Sequence, residues 1–178
     1  MKLNRILDGD GHVIERDREL FDYLEPPYAK NTTLLGYPFF PTLDGYNRGA
    51  IMARLGTYQS YEITPQLWLD TLDKVGIEST VLYPTAGLTS GMIQDPEWAC
   101  ALARAYNDWF ADRYHGTSKR LRAMAMIPLQ DVGEAVKELR RAARSDFNPS
   151  RTRRQFSSVR RVAGSRFSIQ SAWSMNPY

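Results

Sequence analysis

Hydrophobic and polar positions change period several times along the chain, and each change predicts an element. Arg5-Ile6-Leu7-Asp8-Gly9-Asp10-Gly11-His12-Val13-Ile14 reads as a short apolar strand running into polar groups. From 16 to 62 no period is sustained, prolines stand at 26, 27, 38 and 41, and aromatics recur from Phe21 to Tyr61. A connection this long is usually functional or mobile. It reads either as an aromatic-rich insertion covering a cleft or as a partly ordered surface excursion. Regularity then begins. Thr64-Pro65 suits a helix start, Leu67, Trp68, Leu72 and Val75 follow at helical spacing, and Gly76 can end the helix in the left-handed conformation. Ser79-Thr80-Val81-Leu82-Tyr83-Pro84 reads as a short buried strand. Asp95-Pro96 repeats the cap-then-proline start, and Trp98, Leu102, Tyr106, Trp109 and Phe110 mark one face of a helix reaching about Tyr114. Leu121 to Pro128 is a third strand. Asp131-Val132-Gly133-Glu134 has the spacing of a capping box, and Val132, Ala135, Val136 and Leu139 supply that helix's apolar face.

Strand, insertion, helix, strand, helix, strand, helix is the order of an α/β fold with a parallel sheet and right-handed crossovers. The pattern stops at about residue 145, which predicts an α/β region over 1–145 and a distinct tail over 146–178.

Charge sharpens that boundary. The net charge is +3, but the last 32 residues hold six arginines and no acidic residue. Without them 17 basic residues face 20 acidic ones, a balance of −3, which suits a mildly acidic enzyme and makes nucleic-acid binding by residues 1–145 an unattractive reading. The Arg/Ser-rich tail reads as an out-of-frame translation of a longer gene, as a native unstructured tail, or as a basic arm for a polyanion. Cys100 stands alone in a helical pattern, where a small buried residue is the simplest reading. No apolar run is long enough for a secretory signal or a membrane span, so a cytoplasmic protein is expected.

The sharpest local chemistry is Asp8-Gly9-Asp10-Gly11-His12. Side chains alternate across a strand, so Asp8, Asp10 and His12 are expected on one face, at the strand's C-terminal end. A carboxylate and an imidazole two residues apart can ligate one divalent ion, and the glycines leave room near the backbone. An acidic turn with an exposed His12 is the plainer alternative. Tyr83 and Thr85 close the second strand and face the same site or serve as core and turn. Arg48 and Arg54 can bind a substrate carboxylate through a fork of hydrogen bonds, or are solvated loop charges.

Four segments together resemble the amidohydrolase-related family that includes aminocarboxymuconate semialdehyde decarboxylase and the resorcylate-type decarboxylases. Ile6 to Glu15 is similar to the family's opening strand, Val81 to Leu88 to its second strand and loop, Ala105 to Asp112 to its second helix, and Arg120 to Asp131 to its third strand and helix start. The resemblance implies a (β/α)8 barrel acting as a hydrolase or non-oxidative decarboxylase on a small carboxylated substrate. It also implies one divalent metal (zinc first, manganese second), with Asp10 and His12 as ligands and Asp8 as a further ligand or a support for them. The chain departs from that pattern. Such a barrel typically takes about 250 residues, whereas 178 are present, with about three βα units. His115, the other histidine, sits at a helix end, and no later strand supplies the family's late Asp. A partial barrel with half a metal site, weak metal binding and self-association through an open sheet edge is therefore expected. The rival expectation is an inactive remnant serving as a binding module.

Overall fold

The computed structural model describes residues 6–42, 62–144 and 168–169. The three predicted strands are present as β1 (Leu7–Val13), β2 (Ser79–Pro84) and β3 (Leu121–Ala125). They pair in parallel in the order β1-β2-β3, and Ser168–Ile169 adds a two-residue parallel pairing, β4, beside Met124 and Ala125. The fold is thus mixed α/β around a small parallel sheet, as the alternation of periods predicts.

The helices between the strands begin where the sequence places their caps. Helix α1 (Asp17–Phe21) follows β1, and α2 (Pro65–Val75) crosses from the insertion to β2. Thr64 accepts a hydrogen bond from the Leu67 amide at the start of α2, and Gly76 at its end has φ 75°, ψ 29°. That left-handed geometry favours glycine. Helix α3 (Pro96–Phe110) starts on Asp95, whose carboxylate accepts from the amides of Glu97 and Trp98, and it runs into a π-helical turn, Ala111–His115. Helix α4 (Val132–Ala143) starts on Asp131, which accepts from the Glu134 amide. Arg120 fastens the start of β3 to the end of α2. Its guanidinium donates to the carbonyls of Glu78 and Ile77 at 2.8 and 3.0 Å and to Asp73 at 2.7 Å.

The core lies along α3. Leu102, Tyr106, Trp109, Phe110 and Tyr114 are buried there, and the Phe110 and Tyr114 rings stack at 5.0 Å. The described part of the segment after β1 belongs to this core. Leu20, Leu24, Phe39 and Phe40 are buried, and Phe39 meets Trp98 edge-on at 5.3 Å. Burial of side chains this large contributes about 1.5–3 kcal/mol each, which explains why this segment is packed despite lacking a period. Residues 43–61 lie outside the described residues.

Helix α4 corrects one expectation. Val132 and Val136 are exposed, and the buried positions are Ala135, Glu138 and Ala142. The reason is a polar seam. Asn107 of α3 donates to the Met126 carbonyl (2.8 Å) and to Glu138 (2.6 Å), and accepts from the Met126 amide (2.8 Å). Arg141 then grips Glu138 with two nitrogens at 2.7 Å and Asp108 at 2.6 Å. A fully partnered buried carboxylate can hold a helix face that periodicity assigns to valine. No helix among the described residues is long and apolar enough to cross a membrane.

Candidate functional site

Parallel pairing brings the ends of β1 and β2 together. Leu7 and Asp8 pair with Ser79 and Thr80, but the next partners are Gly11 with Leu82 and His12 with Tyr83. Three steps along β1 therefore match two along β2, which is a β-bulge at Gly9-Asp10. The bulge overturns the expected alignment of Asp8, Asp10 and His12. Asp8 stays with Thr80, whose hydroxyl donates to it at 2.6 Å, and it also accepts from the Asp10 amide at 3.1 Å. Asp10 and His12 do converge, with Asp10 Oδ1 3.8 Å from His12 Nε2.

The glycines divide in role. Nothing lies within 4 Å of a Cβ placed on Gly9. A Cβ on Gly11 would collide with the Thr80 hydroxyl and lie 2.8 Å from a Leu82 methyl and 3.1 Å from the Trp68 ring. Gly11 thus makes room for β2 and α2, and not for a ligand as the sequence suggested.

His12 is held from three sides. Its Nδ1 is 3.1 Å from the Pro84 carbonyl oxygen, which can only accept, so this bond places the proton on Nδ1. In the neutral ring Nε2 then carries the lone pair, and it faces Asp10. The Thr85 hydroxyl stands 3.4 Å from the same Nδ1 and donates to the Val13 carbonyl at 2.6 Å. Trp68 Nε1 donates to the His12 carbonyl at 3.2 Å, and the half-buried Tyr83 ring lies 6.0 Å away at 34°. Exposure is graded across the pair, 94% for the Asp10 side chain and 38% for His12.

Glu15 is the residue that sequence reasoning passed over. It is 7% exposed, and its carboxylate accepts from the amides of Thr85 (2.9 Å), Ala86 (3.1 Å) and Gly87 (3.0 Å). Burial pushes its carboxyl above the usual range, against backbone hydrogen bonds that pull it down. The only sequence signal was its position two residues past the strand, at the end of the segment that resembles a family motif.

The other candidates separate. Arg48 and Arg54 lie outside the described residues. His115 ends the π-helical turn, and burial lowers its pKa, offsetting the preference a helix C-terminus gives to a cation. Cys100 is buried, as its surroundings suggest. A depression of about 330 Å³ along α1 and α3 is lined by none of the candidates; Glu19 there is already engaged by Trp109 and Arg113.

Two donors on one ion at about 2.1 Å stand about 3.4 Å apart at a tetrahedral angle. Asp10 and His12, at 3.8 Å with an exposed carboxylate free to turn, fit that requirement as half a site. Among the described residues no group of three or more His, Cys, Asp or Glu side chains is placed to hold a metal ion. No family model matches the chain, and no curated protein matches it significantly.

Proposed function

We propose that the chain is a cytoplasmic protein carrying the opening units of a (β/α)8 barrel of the amidohydrolase-related kind, with Asp10 and His12 as half of a divalent metal site. The parent activity is hydrolysis or non-oxidative decarboxylation of a small carboxylated substrate. The observation that carries this reading is the 3.1 Å contact of His12 Nδ1 with the Pro84 carbonyl oxygen, which in the neutral ring leaves the Nε2 lone pair beside Asp10 at the C-terminal end of a parallel strand. Metal-ligating imidazoles are typically oriented by such a bond from the other ring nitrogen, and barrel enzymes place their chemistry at that end of the strands.

A divalent ion held there would act as a Lewis acid on a substrate oxygen and acidify a water. The residues themselves supply charge and orientation. Asp10 brings the anionic donor and His12 the neutral one, and Tyr83 walls the imidazole on the β2 side. Arg48 and Arg54 are the proposed partners of the substrate carboxylate. Asp8, bonded to Thr80 and the Asp10 amide, steadies the bulge that presents Asp10. The β1 edge, which has no strand on its outer side among the described residues, is the proposed surface for self-association. A non-catalytic remnant is the second reading, favoured because no group of three or more such donors stands together among the described residues.

Zinc titration of the full chain followed by calorimetry tests the proposal. Saturable one-to-one binding, weaker than a complete site and lost in both Asp10→Ala and His12→Ala, is the expected result. Asp10→Ala should leave unfolding unchanged to within about 0.5 kcal/mol, as for an exposed position. Zinc binding that survives both substitutions, or none at all in the unsubstituted chain, would overturn it.

A further inference from the structure

We infer that Glu15 is a positioning residue that sets the His12 tautomer through the turn after β2. The inference rests on the reading of His12 as a ligand only for its consequence, and its geometry stands without any metal. Glu15 holds three consecutive amides, Thr85, Ala86 and Gly87, at 2.9–3.1 Å from a nearly dry position. Two groups in or next to that turn face His12 Nδ1: the Pro84 carbonyl at 3.1 Å and the Thr85 hydroxyl at 3.4 Å. The hydroxyl's own proton is engaged by the Val13 carbonyl, so both groups present lone pairs to Nδ1. Among the described residues, the groups that meet Nδ1 are both acceptors, and Glu15 fixes where those acceptors stand.

The packing around the turn is close. A Cβ on Gly87 would collide with the Met126 methyl and lie 2.8 Å from Pro84 and 3.1 Å from the Glu15 carboxylate. The turn is therefore pressed between Met126 and Glu15. A purely structural carboxylate could have bonded any buried amides. Glu15 instead bonds those that follow directly on the Pro84 carbonyl, the acceptor of the candidate ligand.

Glu15→Gln is the informative variant, because it keeps the size while turning a two-oxygen acceptor into one oxygen and one donor. The amide donor then faces backbone N–H groups, and the turn must shift. The measurement is the imidazole nitrogen–proton correlation spectrum of the ¹⁵N-labelled full chain, without metal, at about pH 8, where an ordinary imidazole is neutral. His12 should be the Nδ1–H tautomer in the unsubstituted chain and a mixture with Nε2–H in Glu15→Gln. His115 should be unchanged, and zinc affinity should fall about tenfold or more. A folded Glu15→Gln chain with an unaltered His12 tautomer overturns the inference, as does an Nε2–H His12 in the unsubstituted chain. If the variant does not fold, amide exchange in the unsubstituted chain decides. Protection at Thr85, Ala86 and Gly87 supports the clamp, and exchange at free-loop rates removes it. A tautomer that follows Glu15 in a chain that binds no zinc upholds this inference while the metal reading fails. Zinc binding with a tautomer indifferent to Glu15 has the opposite meaning.

Discussion

The molecule handles polar groups in two opposite ways. At the seam of α3 and α4, Asn107 and Glu138 are almost fully buried and every partner is present: Met126 on both sides of its peptide, then Arg141, then Asp108. At the ends of β1 and β2, the inner groups are equally well fastened, but the outermost, Asp10 Oδ1 and His12 Nε2, face outward and each other at 3.8 Å. Asn107 and Glu138 have every side-chain polar atom engaged within the fold. The strand ends use theirs to orient groups whose outward-facing atoms have no further hydrogen-bond partner among the described residues. Unspent capacity on a held imidazole is the ground of the proposed site, whereas polarity and burial by themselves mark architecture.

The largest effect should come from breaking the seam. Asn107→Leu removes three hydrogen bonds and leaves the Met126 peptide and Glu138 without their buried partner. At about 1 kcal/mol per bond and more for the orphaned groups, it should cost about 3 kcal/mol or more. Urea unfolding measures this as a lower midpoint with little change in slope. A loss below about 1 kcal/mol would erase the contrast between the two regions.

A smaller loss is expected at the strand ends. Gly87→Ala places a methyl against Met126, Pro84 and Glu15, and overpacking of this kind costs about 1–3 kcal/mol. Gly91→Ala, with nothing within 4 Å of its new Cβ, is the control and should remain within about 0.5 kcal/mol of the unsubstituted chain. Equal effects at 87 and 91 would mean that the turn is not pressed against Glu15.

What was legible in the sequence was local. Thr64, Asp95 and Asp131 cap their helices because an extended residue at a helix start brings a short polar side chain to the amide three residues on, and Gly76 stops α2 for an equally local reason. The pairing of Asp10 with His12 was also local. The failures are tertiary. No period in Asp8-Gly9-Asp10-Gly11 announces a bulge, because the extra residue is defined only by Thr80 and Leu82 on the next strand. Val132 and Val136 look like a core face until Asn107, about 30 residues earlier, offers Glu138 a partner. Glu15 bonds amides 70–72 residues away, and backbone partners leave no trace in residue types.

The finest test of the comparison uses a carboxylate between the two extremes. Asp17, at the start of α1, is partly buried and, among the described residues, accepts from the Phe39 amide at 3.2 Å, so it holds the Phe39 ring on Trp98. Burial pushes its carboxyl above the ordinary 3.8, and the single amide only partly opposes this. Between 3.8 and that raised value the folded chain binds more protons at Asp17 than the unfolded chain does. Its contribution to stability is therefore full below 3.8 and declines as pH rises through the window. Asp17→Asn has no proton to lose there. The stability of Asp17→Asn relative to the unsubstituted chain should rise with pH across the window and level off above it, in paired urea titrations. A relative stability that falls with pH would show the Asp17 anion to be satisfied in place, which would put it with the spent groups of the seam.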